Sequence, residues 1–249
     1  TNDIERFFAE LFGKETGTAQ GKAGSMHIAD HTKGHMCSSA IVASCVPVAV
    51  GAAFAEKQRK SGRIACVFFG DGAVDEGVVW ESLNVACSMQ LPTLFVCEDN
   101  NLAVHTASHV RQGYKSLGNV LRGFECNIFE SDSTDVEELY QTATEAIAAI
   151  KATGRPSFLH FQCYRYLEHV GINEDFDAGY RSREEYEEWM KRDSLDTQRK
   201  RLVDAGLEDA LKTLETKICK RIDRSIEQAR AAAFPKTEAL YQGVFYEKD

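Results

Sequence analysis

The 249-residue chain holds no apolar run approaching the ~20 residues that a bilayer-spanning helix needs. Nor does a basic-then-apolar stretch open it, so neither a membrane span nor a secretory leader is expected. Positive charge is in deficit, with 29 Lys and Arg against 38 Asp and Glu and a net charge of −9. That balance argues against nucleic acid or an anionic membrane as partner. Only four prolines occur, and no internal repeat or low-complexity tract is visible. Cysteine is not scarce, but its motifs are: none of the eight (37, 45, 66, 87, 97, 126, 163 and 219) forms a CxxC pair. Most lie in apolar strand or helix contexts, which points to reduced thiols rather than to a disulfide or zinc framework. A reducing compartment is expected, the cytoplasm or, in a eukaryote, the mitochondrial matrix.

What is present suits a large α/β domain. Hydrophobic residues make up 43% of the chain, enough for a core at this length. Apolar runs at 63–69, 92–98, 124–130 and 156–163 read as buried strands. Between them, 46–60 opens with Pro47 and is rich in small residues, 75–90 reads as a helix, and 134–151 reads as another. Thr134 with Glu137 has the form of a capping box for that third helix. The alternation predicts a parallel sheet with helices on both faces. From Ser182 the chain becomes charged and helical, and 207–233 reads as one long helix. We therefore expect an α/β domain over 1–206 and a helical extension of it over 207–249.

Two strand ends carry the chemistry. The run Ile64 to Phe69 ends in Gly70-Asp71-Gly72-Ala73, and Pro92 to Cys97 ends in Glu98-Asp99-Asn100-Asn101, with Asn100 standing 29 residues after Asp71. Open α/β sheets bind ligands at this carboxyl edge. Asp71 and Asn100 offer one charged and one neutral oxygen, a set suited to a hard cation such as Mg2+. Gly70 and Gly72 let the backbone approach a phosphate, and the Gly72 and Ala73 amides can donate to it from the head of the next helix. A dinucleotide fingerprint is the rival, but the glycines fall at 70, 72 and 77, which is not GxGxxG. Asp71 inside a phosphate turn would also repel a pyrophosphate unless a cation lay between them. A tight turn using Gly and Asp for conformation alone is the bland alternative for this motif taken by itself.

The pattern of Gly-Asp-Gly, just under thirty residues and then Asn resembles the signature of thiamine diphosphate (ThDP) enzymes. Gly21-Lys22-Ala23-Gly24-Ser25-Met26-His27, Val46-Pro47, Leu91-Pro92 and Tyr164-Arg165-Tyr166 extend the resemblance. Together they stand in the order found in the alpha subunit of the decarboxylating component of 2-oxo acid dehydrogenase complexes, of pyruvate, branched-chain or acetoin type. The similarity runs from about Ile4 to Leu207. It implies the ThDP-binding fold, with ThDP and Mg2+ as cofactors. It places the metal on Asp71, Asn100 and the carbonyl of Leu102. Asp99 stands where the family has asparagine, which leaves Asn101 open as an alternative ligand.

Further roles follow only from the resemblance. The backbone of Ala40 to Val42 matches a stretch that meets the aminopyrimidine, although a simple apolar turn fits it equally. Arg165 would reach the diphosphate; His169 would donate to it or assist proton transfer, and His27 would lie near the substrate mouth. His105 falls near the site by alignment, whereas His31, His35, His109 and His160 receive no role. Leu167-Glu168 replace the family's His-Gly, and Val170 stands where some relatives carry a phosphorylatable serine. The polar loop from Gly171 to Gly179 suits closure over an intermediate.

Two parts of the family's site have no counterpart in these 249 residues. The glutamate that activates the aminopyrimidine comes, in the family, from a beta subunit, which implies an α2β2 assembly with the site at the subunit interface. A lipoyl-bearing acyltransferase is the expected acceptor. The family's Tyr-Arg diphosphate segment lies upstream of the point where this sequence begins, so the sequence is a piece of a longer chain or a partner supplies that contact. An acyloin-forming carboligase and a non-catalytic scaffolding subunit are the alternative readings.

Overall fold

The structure, a computed structural model, describes residues 3–242. Helices α1 (Ile4–Leu11) and α2 (Cys45–Arg59) precede strand β1 (Ala65–Gly70), and α3 (Gly77–Ser88) leads into β2 (Thr93–Asp99). A small hairpin, β3 (Leu102–Ala103) with β4 (Thr106–Ala107), is followed by the short helices α4 (Ser108–Arg111) and α5 (Leu117–Leu121). Next come β5 (Asn127–Ser131), α6 (Val136–Thr153) and β6 (Ser157–Gln162). Three α-helices follow, α7 (Arg183–Met190), α8 (Ser194–Asp204) and α9 (Glu208–Ala231), and a 3-10 turn, Thr237–Tyr241, comes last among the described elements.

The four main strands form one parallel sheet in the order β1-β2-β6-β5. Alternation along β2 divides its core. Phe95 and Cys97 face one way into a cluster with Val67 and Phe69 of β1, Val46 and Val50 of α2, and Val79 and Leu83 of α3. Leu94 and Val96 face the other way, with Leu159, onto Ala146 and Ile150 of α6. The expected parallel sheet with helices on both faces is thus the fold that forms. Phe158 anchors the first face, its ring stacked on Phe95 at 6.0 Å and edge-on to Phe69 at 5.9 Å.

Two local expectations change. The side chain that caps α6 is Asp135, which accepts from the Glu137 amide at 2.9 Å. Thr134 instead donates its hydroxyl to the Arg192 carbonyl, so no capping box forms at 134–137. After Gly70 the chain enters a 3-10 turn, Asp71–Asp75, before α3 begins. The Gly72 and Ala73 amides therefore head that turn rather than an α-helix. The charged region after Ser182 is broken by Asp193, whose carboxylate accepts from Leu195 at 2.9 Å and Asp196 at 3.0 Å and so starts α8 afresh.

The chain divides into two compact units, one joining the residues up to Ala40 with those from Gly206 onward, the other Ile41–Ala205. In the first, α1 packs on α9, with Glu5 and Arg221 paired at 3.0 Å. Glu10 there is fully buried and accepts three backbone amides, from Ala19 at 2.8 Å, Gly21 at 3.0 Å and Ala23 at 2.7 Å. That carboxylate shapes the loop leading to His27. Gly21 must be glycine, since its φ is +76° and a Cβ would come within 2.5 Å of the Gly13 backbone.

Candidate functional site

The site lies at the carboxyl edge of the sheet in the second unit. In parallel register Gly70 pairs with Glu98, which sets Asp71 and Asp99 side by side where β1 and β2 end. Beyond β2 the chain turns toward the face of α3, where Leu117 and Leu121 of α5 join the cluster. Beyond β6 it turns toward the amino end of α6, where Arg192 meets the Asp132 carbonyl at 3.2 Å and Arg201 meets Asp135 at 3.1 Å. Chain departures in opposite directions from β2 and β6 open the kind of crevice in which α/β sheets bind ligands.

Asp71 is 2% exposed. The Asn100 backbone amide lies near enough to favour its ionised form, which brings the two motif residues together. Burial, and next the neighbouring Asp99 charge, push its carboxyl up to about 6, against the opposing pull of Arg111. Asn100 turns its side-chain oxygen onto the Leu102 amide at 3.0 Å, forming an Asx turn that fixes the loop carrying the Leu102 carbonyl. Asn101 adopts φ +64° and its side-chain oxygen accepts from the Ser108 hydroxyl. Gly72 packs so closely that a Cβ there would lie 3.0 Å from the Ala103 Cβ.

Arg111, which received no role from the sequence, is the cation of this cluster. One arm of its guanidinium donates to the Asp71 carboxylate and the other to Asp75, while Nε reaches the Thr106 carbonyl at 3.2 Å. Burial works against its charge, yet Asp75 and Asp71 hold its pKa above the ordinary value. Its partners lie some forty residues upstream, so no local motif could have announced the contact.

Asp99 gains meaning from His160, another residue with no role assigned from sequence. His160 Nε2 lies 2.7 Å from the Asp99 carboxylate and its Nδ1 faces Glu130 at 3.5 Å. Burial opposes the imidazolium, but the two carboxylates raise its pKa; in return His160 keeps Asp99 below the usual carboxylate range despite burial. Asp99 also accepts from the Asn101 amide at 2.8 Å, so the pair braces the turn that holds Asn100.

Arg165 joins the loops after β2 and β6. Its Nη2 donates to the Val104 carbonyl at 3.1 Å and to the Tyr180 hydroxyl at 2.7 Å, and its Nε is buried with no hydrogen-bond partner among the described residues. Tyr180 donates to Asp175, which also accepts from the buried Arg181, and the Tyr180 ring stacks on His105 at 4.4 Å. Glu168 donates its backbone amide to the Asn173 carbonyl at 2.9 Å, and its carboxylate accepts from the Asn173 amide at 3.2 Å and side chain at 2.9 Å, so the segment at 168–173 folds back on itself.

His169 is exposed in that segment, and Val42 is 58% exposed just before α2. Ala40 and His27, both exposed, belong to the other unit. Among the described residues no helix is long and apolar enough to cross a membrane, and Cys66, Cys87, Cys97, Cys126, Cys163 and Cys219 are in no disulfide.

The donors fit a cation carrying a diphosphate. A carboxylate, an amide oxygen and a backbone carbonyl are hard oxygen ligands. The orphaned Nε of Arg165 calls for an anion, and the Gly72 approach is one that a side chain would fill.

Comparison with known proteins bears directly on this arrangement. The family model described as "Dehydrogenase E1 component" matches residues 1–238. The alpha subunit of the pyruvate dehydrogenase E1 component of Zymomonas mobilis is 34% identical, the alignment covering 99% of this chain and 69% of the relative. Its counterpart from Rickettsia felis is 32% identical, covering 95% of this chain and 72% of the relative. The alpha subunit of acetoin:2,6-dichlorophenolindophenol oxidoreductase from Bacillus subtilis is 30% identical, covering 99% and 74%. The chain belongs to the dehydrogenase E1 component family, among its alpha subunits, as the motifs indicated.

Proposed function

We propose that this chain is the alpha subunit of a ThDP- and Mg2+-dependent 2-oxo acid dehydrogenase, holding the diphosphate end of the cofactor. The observation that carries the reading is the buried Asp71 at the end of β1, brought by the parallel register beside the end of β2 that leads into Asn100. Asp71, Asn100 and the Leu102 carbonyl would hold the metal. Both amide oxygens already accept a hydrogen bond, Asn100 from the Leu102 amide and Asn101 from the Ser108 hydroxyl, and Asn101 stays open as the alternative ligand. Gly70, Gly72 and Ala73 would take the diphosphate with Arg165, and the backbone of Ala40 and Val42 the aminopyrimidine. When bound, ThDP supplies the electron sink that decarboxylation of a 2-oxo acid requires. His169 and His27 would contact substrate or hold a proton near it. A beta subunit would bring the activating glutamate in an α2β2 assembly, with a lipoyl-bearing acyltransferase as acceptor and the cytoplasm or mitochondrial matrix as location.

A second reading, an acyloin-forming carboligase, draws on Leu167 and Glu168. Leu167 is exposed where the family has histidine, and Glu168 is committed to Asn173. One assay addresses both. The chain is combined with its beta partner, ThDP and Mg2+, and CO2 release from a panel of 2-oxo acids is followed with and without a lipoyl domain. Lipoyl-dependent acyl transfer is expected; carboligation without it favours the second reading, and no decarboxylation of any 2-oxo acid refutes the proposal. Asp71→Ala should abolish metal-dependent ThDP binding, measured by calorimetry. Unchanged affinity would show that the metal lies elsewhere.

A further inference from the structure

Arg111 stands on the carboxylate that the metal would need. Its guanidinium side chain is 11% exposed and spans Asp71 and Asp75, with Nη1 also 3.5 Å from the Asp71 carbonyl. A buried carboxylate requires a counter-charge, and here the chain supplies its own. We propose that Arg111 is the resident cation of the site, neutralising Asp71 before loading and admitting a divalent ion there only together with the diphosphate.

The argument rests on the metal–diphosphate reading above. A divalent ion placed on Asp71 while Nη2 still occupies one oxygen would sit within a few ångströms of a fixed positive charge, in a region with little water to screen it. With the diphosphate absent, that repulsion opposes metal entry. The diphosphate's negative charge reverses the balance, since it attracts both cations at once. The fork geometry lets the exchange happen without dismantling the loop. Nη1 on Asp75 and Nε on the Thr106 carbonyl can stay in place while Nη2 alone leaves Asp71. A purely structural staple predicts something different: removing it would loosen Asp71 and weaken metal binding under every condition.

The sign of one measurement separates the two. Using the full chain with its beta partner and Mn2+ as the probe, free Mn2+ is counted by electron paramagnetic resonance in the absence of ThDP, with Asp71→Ala as the blank. Arg111→Gln should bind Mn2+ alone about tenfold more tightly than the unmodified protein. Arg111→Lys keeps the charge but loses the fork and should gain about threefold, which keeps the test open should the glutamine variant fail to fold. Equal or weaker Mn2+ affinity in the folded variants overturns the proposal. Failure of the underlying reading looks different: Asp71→Ala would then leave Mn2+ affinity in the presence of ThDP unchanged.

Discussion

Gly72 is where the smallest change touches the chemistry most directly. A methyl group at this position would press on Ala103, 3.0 Å from its Cβ and 3.3 Å from its Cα. Ala103 belongs to a two-residue strand in a surface loop, which can yield by a few tenths of an ångström at little cost to the fold. Gly72→Ala should therefore lower the thermal midpoint by no more than about 4 °C, the scale of ~1 kcal/mol in a chain of this size. Its effect on Mg2+-dependent ThDP affinity should be larger, a loss of about tenfold or more, because the displaced loop carries the Leu102 carbonyl. Calorimetric titration and a thermal melt of the same variant check both halves; full affinity would show that the Gly72 approach serves packing alone. Residues of this kind were legible in sequence because hard oxygen donors and glycines at a fixed spacing have few other uses. Arg111 and His160 were not, since a lone arginine or histidine acquires meaning only from the carboxylates that folding sets beside it. Asp99 lies between these cases: its departure from the family's asparagine was visible, but its partner His160 was not.

Elements were legible in proportion to their length and periodicity. The four main strands are apolar runs, and the expected ranges meet the observed ones within a few residues. The hairpin β3–β4 and the helices α4 and α5 escaped, because segments of two to five residues show no period. The start of α6 shows a finer limit. Thr134 and Asp135 are both good capping residues, and only the tertiary position of Arg192, which takes the Thr134 hydroxyl, decides for Asp135. That cap is also tied to α8. Arg201, by its hydrogen bond, brings the Asp135 carboxyl from 3.8 down to about 2. A carboxyl whose pKa is depressed by folding stabilises the fold above its unfolded pKa, and the contribution fades as pH falls through the folded value. The contribution of Asp135 should thus be complete above about pH 4 and disappear toward pH 2. Asp135→Asn keeps a capping oxygen but no charge, so its melting midpoint should lie below that of the unmodified chain at pH 5 and converge with it near pH 2. A gap that stays constant over this range would show that Arg201 does not act through the charge.

At the scale of the whole molecule, the charges at the carboxyl edge of the sheet indicate what the chain requires from outside. Asp71 and Asp75 share Arg111, and Asp99 is taken by His160. These carboxylates are committed to cations of their own chain, and Asp71 in addition to the expected metal. On the proposed reading, this edge of the sheet supplies donors for the diphosphate, and a second subunit supplies the acid for the ring. The sequence carries the diphosphate motifs, and the proposed function takes the activating acid from the partner. The expected outcome is strict dependence on a second subunit. The chain alone, supplied with ThDP, Mg2+ and a 2-oxo acid, should release no CO2 above the uncatalysed background. Titrating in the beta partner should raise turnover until the two chains are present in equal amounts, and then no further. Substituting the partner's activating glutamate by glutamine should abolish turnover while leaving Mg2+-dependent ThDP binding, measured in parallel, largely intact, because the proposal assigns that binding to Asp71, Asn100 and Arg165. Turnover by the chain alone, at a rate comparable with the assembly, would show that an acid within this fold does the work assigned to the partner.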